Sequence, residues 1–586
     1  MGAIGKFFTD FLPAEDMDRD TAGHSVQNYE TNDKDEKSSK DGEQEYESAA
    51  YATEQVGKQT TPGSKTALKR RLGSRHMQMI AFGGSIGTGL FIGSGGVLSS
   101  GGPGWLLIDF ILIGIMLYCV VMSLGEMAAV LPISGSFASY STRFIDPAWG
   151  FAMGYNYWMQ WFVVLPLELV AASIVLDFWP GSEKVTKGVY ILIFILVITF
   201  INLFGVRGYG EWEFIASMIK IVTVVGFIIL AIVIDCGGAP NGEYLGARTW
   251  HDPGAFNNGF KGFASVFVTA AFAFAGTELI GLAAAETSNP RKEIPKAAKQ
   301  IIWRIMIFYI LSLFLITLIV PYTDPRLTSG DSSYDARASP FVIAIEIGQI
   351  KVLPSIMNAV ILISVLSVGN SAVYGASRTL CGLAQANQAP KIFAYIDRQG
   401  RPLPAVILSL LMGCLAFVIY AAESSTVFNW LLALSGLSTI FSWGSLCACH
   451  IQFRRAWKYN GHTLEELPWK SPVGLPGAIF GLGFNILVVI FQFYIAAFPI
   501  GEGSVEDELA TPRQRVNAFF LAFLATPVVL VFYLFWKIVK RTSFVRLDEM
   551  DVTTGRMQAV PLEVLRRERE EARQQPIFKR ILTALF

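Results

Sequence analysis

Charge is the scarcest ingredient of this chain. Only 16% of its residues are Asp, Glu, Lys or Arg, against about a quarter in an ordinary globular chain, and 47 basic residues cancel 47 acidic ones. A neutral balance argues against strong attraction to nucleic acid, and no zinc-type spacing or basic-aromatic stretch argues for it. Cysteine is also sparse. Cys119, Cys381, Cys414, Cys447 and Cys449 lie within or against apolar segments and Cys236 falls in a connection, so no disulfide framework is expected. Cys447 and Cys449 are two apart, the wrong spacing for a Cys-x-x-Cys pair, and read as packing residues. Of the five histidines, His450 ends an apolar segment and reads as interfacial. No His-x-x-x-His or close Asp pair lies inside an apolar segment, so neither an enzyme nor a metal or other cofactor is expected. Gly83-Gly-Ser-Ile-Gly87 spells Gly-x-Ser-x-Gly, but a nucleophile elbow needs a preceding strand and a histidine partner. Gly87-x-Gly89 likewise lacks the third glycine of a dinucleotide fingerprint, with Ile92 in its place. A basic-then-apolar signal peptide is missing, so the first membrane helix is expected to direct insertion. Met1-Gly-Ala-Ile-Gly-Lys6 lacks the Ser or Thr of a myristoylation signal.

What the chain has in excess is apolar length: 52% hydrophobic residues over 586 positions, with mean hydropathy +0.44. Crossing a hydrocarbon core of about 30 Å takes about 20 apolar residues, and the sequence supplies about twelve such runs. They fall near Met77 to Leu98, Trp105 to Leu131, Ala148 to Leu176, Gly188 to Val206, Trp212 to Ile234, Gly262 to Ala285, Ile301 to Val320, Leu353 to Leu380, Leu403 to Ala421, Phe428 to His450, Ala478 to Phe498 and Val516 to Ile538. The short apolar stretch Phe341 to Ile350 is expected as a surface helix before the eighth span. Residues 1–72, rich in Asp, Glu, Lys and Ser, are expected to be a disordered tail, 73–540 a membrane domain, and 541–586 a second tail.

Basic residues give the orientation. Arg291, Lys292, Lys296 and Lys299 follow the sixth span, Lys391, Arg398 and Arg401 the eighth, Arg454, Arg455, Lys458 and Lys470 the tenth, and Lys540, Arg541 and Arg546 the twelfth. All fall on one side, expected to be cytoplasmic together with both termini. The opposite connections 236–261 and 321–340 contain no Asn-x-Ser/Thr glycosylation acceptor.

Two spans are interrupted. Gly84-Ser-Ile-Gly-Thr-Gly89 breaks the first and Gly276-Thr-Glu278 the sixth. Glycine weakens a helix, and lipid cannot satisfy the freed backbone groups, so such breaks belong where backbone meets a cavity or ligand. Close helix packing alone would also use small residues, but paired breaks in matching halves are the sequence pointer to a carrier's substrate site. Half-helix ends offer amides to a carboxylate and carbonyls to an ammonium, which suits a zwitterion. The turn over Ser85, Ile86, Gly87, Thr88 and Gly89 should supply amides; Phe272 to Ala275, beside Gly276 and Thr277, should supply carbonyls and an aromatic lid.

Four ionisable residues stand out inside the spans: Glu126, Glu168, Lys220 and Glu278. Each costs about 2.5 to 3.5 kcal/mol at a helix centre unless partnered or employed. Groups at such depth can exchange a proton near neutral pH. Glu126 reads equally as a structural inner-end carboxylate, and Lys220 either as a fixed ammonium joining the first and eighth spans or as a proton shuttle. A lysine charge there competes with a bound cation, which favours protons over sodium. One proton crossing about 100 mV releases about 2.3 kcal/mol, and each pH unit adds about 1.4 kcal/mol.

Met79-Ile-Ala-Phe-Gly-Gly-Ser-Ile-Gly-Thr-Gly-Leu-Phe-Ile-Gly93, Ala271-Phe-Ala-Phe-Ala-Gly-Thr-Glu-Leu279, Asn289-Pro-Arg-Lys followed by Pro295-Lys-Ala, Gly400-Arg-Pro and Phe428-Asn-Trp-Leu-Leu-Ala-Leu-Ser-Gly436 together resemble the fungal amino-acid permeases of the amino acid-polyamine-organocation superfamily, most of all the general amino-acid permease branch. The likeness runs from about Lys69 to Arg546. It implies an all-α polytopic membrane protein of LeuT type, with spans one to five and six to ten as inverted repeats plus two peripheral helices. It also implies proton-coupled uptake of L-amino acids at the plasma membrane, with a sensor of the same fold as the alternative; sensors usually carry a longer N-terminal tail. Carried over by position, Thr88 and Gly89 contact the substrate carboxylate, carbonyls of Ser85, Phe272 and Ala275 hold the amine, and Phe272 gates. Glu278 and Lys220 match proton-sensing positions, Glu168 a carboxylate beside the substrate, and Ser435 a position that sets side-chain preference. The family's ubiquitination would fall on tail lysines such as Lys34, Lys37 and Lys40, through ubiquitin ligase and arrestin-type adaptors. Leu582-Thr-Ala-Leu-Phe586 lacks the terminal cysteine that several relatives lipidate.

Overall fold

The computed structural model describes residues 72, 74–133, 135–328, 339–420, 424–500, 512–557, 561–574 and 576. Lys34, Lys37 and Lys40, the expected tail around them, and the final residues 582–586 lie outside the described residues. Among the described residues the backbone is helical, with no strand beyond the isolated bridges Leu72 to Thr287 and Cys236 to Tyr244. In chain order the helices are α1 (Ser74–Gly83), α2 (Ser94–Val130), α3 (Ser136–Phe144), α4 (Pro147–Val175), α5 (Lys187–Leu203), α6 (Gly205–Asp235), α7 (Gly259–Phe274), α8 (Leu279–Ala283), α9 (Pro290–Arg304) and α10 (Ser312–Ile319). There follow α11 (Pro325–Thr328), α12 (Pro340–Ile347), α13 (Leu353–Gln385), α14 (Leu403–Met412), α15 (Ser424–Tyr459), α16 (Gly474–Ala497), α17 (Pro512–Phe523), α18 (Ala525–Lys540) and α19 (Leu562–Gln574).

Eight described helices are long and apolar enough to cross a membrane, and α17 with α18, bent by 69°, makes a ninth if counted as one span. The other three expected spans take different forms. The first is divided at its break and leaves only α1 on one side, the fourth is the 17-residue α5, and the tenth is the 36-residue α15. α5 and α6 turn large apolar side chains outward, with Phe200, Val222 and Ile229 all more than 60% exposed. A wholly apolar outer surface of this kind needs lipid around it. The polytopic helical membrane fold therefore stands.

The boundaries drawn from hydropathy need three corrections. Spans one and two are not separated by a loop: the second half of the first runs into α2, kinked at Gly102 (φ 76°, ψ 173°) before Pro103. The basic run Arg291 to Lys299 is not a connection but the first turns of α9, which starts with Pro290 in the position proline favours. The segment expected as a surface helix is buried. α12 packs Phe341 between Phe91 (ring centroids 5.0 Å apart) and Phe227 (4.7 Å), and Ser339 donates to the Phe91 carbonyl at 2.6 Å. An eight-residue helix that is apolar apart from Glu346 near its end, which pairs with Arg326 at 3.1 Å, gains most by burial.

Three ionic clusters fasten the end of the bundle that carries most of the basic residues. Glu126 of α2 accepts from Arg454 through both oxygens (2.8 and 2.6 Å), from the Ser471 amide (2.6 Å), and lies 3.0 Å from His450 Nε2. α2, α15 and the turn before α16 thus meet on one carboxylate. Glu286, just after α8, pairs with Arg378 of α13 at 3.1 Å and accepts from Tyr374 at 2.9 Å. Beyond α18 the chain crosses the same end, where the Val545 amide donates to the Ile145 carbonyl (2.9 Å) and the Met557 amide to that of Val130 (3.1 Å). α19 is held there by Arg566 on Glu465, 2.9 Å.

Candidate functional site

The first break spans residues 84–87, between α1 and the helical Thr88 that leads into the wide turn Gly89–Gly93; the second spans residues 275–278, between α7 and α8. The breaks cross in contact. Gly276 adopts φ 96°, and a Cβ on it would stand 2.4 Å from the Gly84 carbonyl oxygen; a Cβ on Gly89 would stand 2.4 Å from Ala273 Cα. These glycines thus serve backbone conformation and close packing together, and packing is what brings the two interruptions to one place.

Tyr309, in the wide turn that follows α9, fixes the crossing. Its hydroxyl lies 2.9 Å from the Ser85 carbonyl oxygen and 2.8 Å from that of Ala273, one from each broken helix. Its ring packs on Phe274 with centroids 4.2 Å apart. The Ser85 carbonyl, expected for a substrate ammonium, therefore already accepts a protein hydrogen bond, with one lone pair left.

Beside the crossing is a small cavity. Of the residues singled out in the sequence, Ser85, Gly87, Thr88, Gly89, Glu168, Phe272 and Ala275 line it. Gln160, Trp161 and Val164 of α4 and Val368 of α13 complete the wall, and nothing in their sequence context marks them apart from ordinary span residues. Helical spacing explains the α4 face: positions 160, 161, 164 and 168 fall on one stripe. Glu168 is 1% exposed. One of its oxygens accepts from the Thr88 hydroxyl, which ties the α4 wall to the first break. The other oxygen of Glu168, and the side-chain carbonyl of Gln160, have no hydrogen-bond partner among the described residues. Buried acceptors left unpaired are costly. Both residues belong to the cavity wall, and unpaired acceptors of this kind suit a hydrogen-bond-donating guest.

The remaining predicted residues sit elsewhere. Ile86 is fully buried in protein. Thr277 donates to the Phe274 carbonyl at 2.7 Å and accepts from Arg304. Glu278 does not reach the cavity; its carboxylate turns back to accept from the Gly276 amide (3.2 Å) and Trp443 Nε1 (3.3 Å), stapling the second break from behind. Ser435 is buried, its hydroxyl without a partner among the described residues, and does not line the cavity. Its neighbour Gly436 packs on Val268, with Phe272 beyond. Lys220 lies one layer out, donating to Ser367 of α13 at 2.9 Å.

Four buried ionisable residues inside helices were not singled out, although the same rule applies to them: Asp109, Glu213, Arg304 and Arg378, each at most 3% exposed. Asp109 has neither oxygen hydrogen-bonded among the described residues. Arg304 reaches the second break through Thr277, and Glu213 faces Lys220. Among the described residues no cluster of His, Cys, Asp and Glu could hold a metal ion.

Residues 76–549 match the sequence profile of the family described as amino acid permease. The chain is 52% identical over 512 residues to general amino-acid permease GAP1 of Saccharomyces cerevisiae, covering 86% of this chain and 83% of that one. It is also 52% identical over 528 residues to general amino-acid permease GAP2 of Candida albicans (89% and 87% covered). A third relative at 52% identity, over 498 residues, is cationic amino acid transporter 1 of Schizosaccharomyces pombe (84% and 82% covered).

Proposed function

The chain belongs to the amino acid permease family, and from that premise we propose that it is a proton-coupled symporter importing a broad range of L-amino acids across the plasma membrane. The observation that carries this reading is the cavity at the crossed breaks, whose wall holds the unsatisfied acceptors Glu168 and Gln160 beside backbone freed from two helices. A zwitterion answers both needs of such a place. Its ammonium supplies donors to Glu168 and to the carbonyls of Phe272, Ala275 and Ser85, and its carboxylate accepts from amides of the turn at Thr88 and Gly89. Phe272 covers the bound molecule, and Ser435, behind it, tunes the side chain accepted.

Alternating access follows from the fold assigned here: spans one to five and six to ten as inverted repeats, with the last two peripheral. Both termini and the basic end of the bundle lie in the cytoplasm, as the positive-inside rule directs. The clusters at Glu126 and Glu286 then close the inner side, and uptake to the cytoplasm requires the Glu286 to Arg378 pair to part. Protons are the coupling ion because Lys220, held by Ser367 one layer out from the cavity, can carry a switchable positive charge that competes with a bound cation. Breadth of substrate agrees with the two relatives described as general permeases.

Uptake of a panel of radiolabelled L-amino acids by cells lacking their own permeases tests this. Several amino acids of different side-chain class should accumulate, and a protonophore should lower accumulation by about tenfold or more, since one charge across about 100 mV is worth about 2.3 kcal/mol. Accumulation that survives the protonophore and needs sodium would overturn the coupling, and failure of every amino acid to accumulate would overturn the transport reading.

A further inference from the structure

Lys220 has an acidic partner that none of the foregoing employs. Glu213 precedes it by seven residues in α6, two helical turns along one face, and both side chains are 0% exposed. Lys220 Nζ stands 3.8 Å from Glu213 Oε1. Ser367 of α13 joins them: its hydroxyl accepts from Lys220 Nζ at 2.9 Å and donates to Glu213 Oε2 at 2.8 Å. The next residue, Val368, lines the substrate cavity, so the bridge sits on the same turn that forms the cavity wall.

We propose that Glu213 is the proton acceptor of the coupling site, with Ser367 as the relay between it and Lys220. The inference rests on the proton-symport reading given above. In the resting site Lys220 is an amine and Glu213 a carboxylate. One proton from outside binds the amine and makes an ammonium. Ser367 Oγ then takes a proton from Lys220 Nζ while its own hydroxyl proton passes to Glu213 Oε2; one N–H and one O–H bond break, two O–H bonds form, and the product is amine and carboxylic acid. Loss of the carboxyl proton towards the basic end restores the start.

Polar groups lead away from Glu213 towards the basic end. Ser371, one turn along α13, is 3.4 Å from Glu213 Oε2, and the Tyr209 hydroxyl is 3.1 Å from Ser371 Oγ. The Tyr209 ring stacks on Tyr374 with centroids 4.3 Å apart, and Tyr374 donates to Glu286 at the basic end. The charged and titratable groups facing the pair are few. From α6 they are Tyr209 and the two members themselves, and from α4 Glu168, a charged neighbour of Lys220. α13 presents serines, with Arg378 beyond Tyr209 and already paired to Glu286. From α1, Arg75 and His76 face Glu211 instead. Glu213, Ser371 and Tyr209 form a polar chain that leads from cavity level towards the closed end and stops at the Tyr209 to Tyr374 ring stack, whereas Glu278 is occupied by the Gly276 amide and the Trp443 indole, with Tyr157 and Arg304 beside it.

The test uses the full-length protein in proteoliposomes, comparing wild type with Glu213→Gln. Two fluxes are measured: exchange of labelled for unlabelled amino acid at equal pH, and uphill uptake driven by an imposed pH gradient, with an internal pH dye reporting proton entry. Glu213→Gln should keep exchange within about twofold of wild type and lose gradient-driven accumulation by about tenfold or more, the worth of one coupled charge. Glu213→Asp should restore part of it. Wild-type accumulation and proton entry in Glu213→Gln would overturn the assignment. If that variant fails to fold, Ser367→Ala, which leaves both charges in place, takes over. It should keep exchange but shift the pH profile of driven uptake, and an unshifted profile would overturn the relay. Absence of amino-acid-linked proton entry in the wild type would instead overturn the symport reading, a result distinct from failure at Glu213 alone.

Discussion

Gly276→Ala should abolish uptake. The residue holds φ at 96°, where an L side chain costs about 1 to 2 kcal/mol, and its new methyl would meet the Gly84 carbonyl oxygen at 2.4 Å. Overpacking of that kind adds about 1 to 3 kcal/mol, and the obstacle is backbone, so no rotamer change relieves it. Either the two broken helices separate and the cavity loses its floor, or the protein fails to fold; both outcomes take transport down by more than about tenfold. Gly226→Ala is the matched control. It lies within α6 with no neighbouring atom within 4 Å, and Ala is the better helix former by about 1 kcal/mol. Uptake and surface expression of the control should equal wild type.

Glu168→Gln should weaken amino-acid binding by about ten- to a hundredfold, the equivalent of losing a hydrogen bond to a charged group worth about 1.5 to 3 kcal/mol. The amide preserves the shape and can still accept from Thr88, so the fold and the joint between α4 and the first break should survive. What changes is the carboxylate's second oxygen, which has no partner among the described residues and would no longer carry charge for an ammonium. Michaelis constants for several amino acids, measured alongside surface expression, check this; unchanged constants would assign the carboxylate to a purely structural role. Thr88→Val removes the other half of the joint and separates positioning from charge, since Glu168 then keeps its charge but loses its tether.

Much of this site was legible in the sequence because its signal is backbone chemistry. Glycine runs inside apolar spans have few reasons to exist, and both breaks stand where Gly84 to Gly89 and Gly276 to Glu278 placed them. Glu168 was legible as a lone carboxylate in an apolar segment. Glu278 carried the same signal and proved to brace the break rather than face the cavity, because sequence gives depth in a span but not direction within so short and irregular a segment. Gln160, Trp161 and Tyr309 gave no signal: each is a common residue type whose role arises only where α4 and the turn after α9 meet the crossing.

The missed ionisable residues share one cause. Hydropathy draws a span from where charge stops, whereas helices continue into and past their charged turns. The fifth span was drawn from Trp212 although α6 begins at Gly205, which left Glu213 at an apparent edge instead of two turns inside. Asp109 and Arg304 stood near the drawn starts of their spans in the same way, and Arg378 near the drawn end of its own. The same bias turned the first turns of α9 into a supposed loop. In the case of α12 the misreading was of burial: a short apolar helix was assigned to the surface because it could not cross a membrane, when its apolar run Pro340 to Ile345 called for packing inside the protein.

The zwitterion site itself is tested most directly by competition binding to the purified protein. A labelled L-amino acid is displaced by its unlabelled form, by its methyl ester, which lacks the carboxylate, and by the deaminated acid, which lacks the ammonium. In the proposed site the first break holds the carboxylate, and Glu168 with carbonyls of both breaks holds the ammonium, so both analogues should bind about a hundredfold or more weakly, the loss expected when charged hydrogen bonds go unmade. Displacement by either analogue at the concentration that suffices for the parent amino acid would contradict a site built from the two crossed breaks.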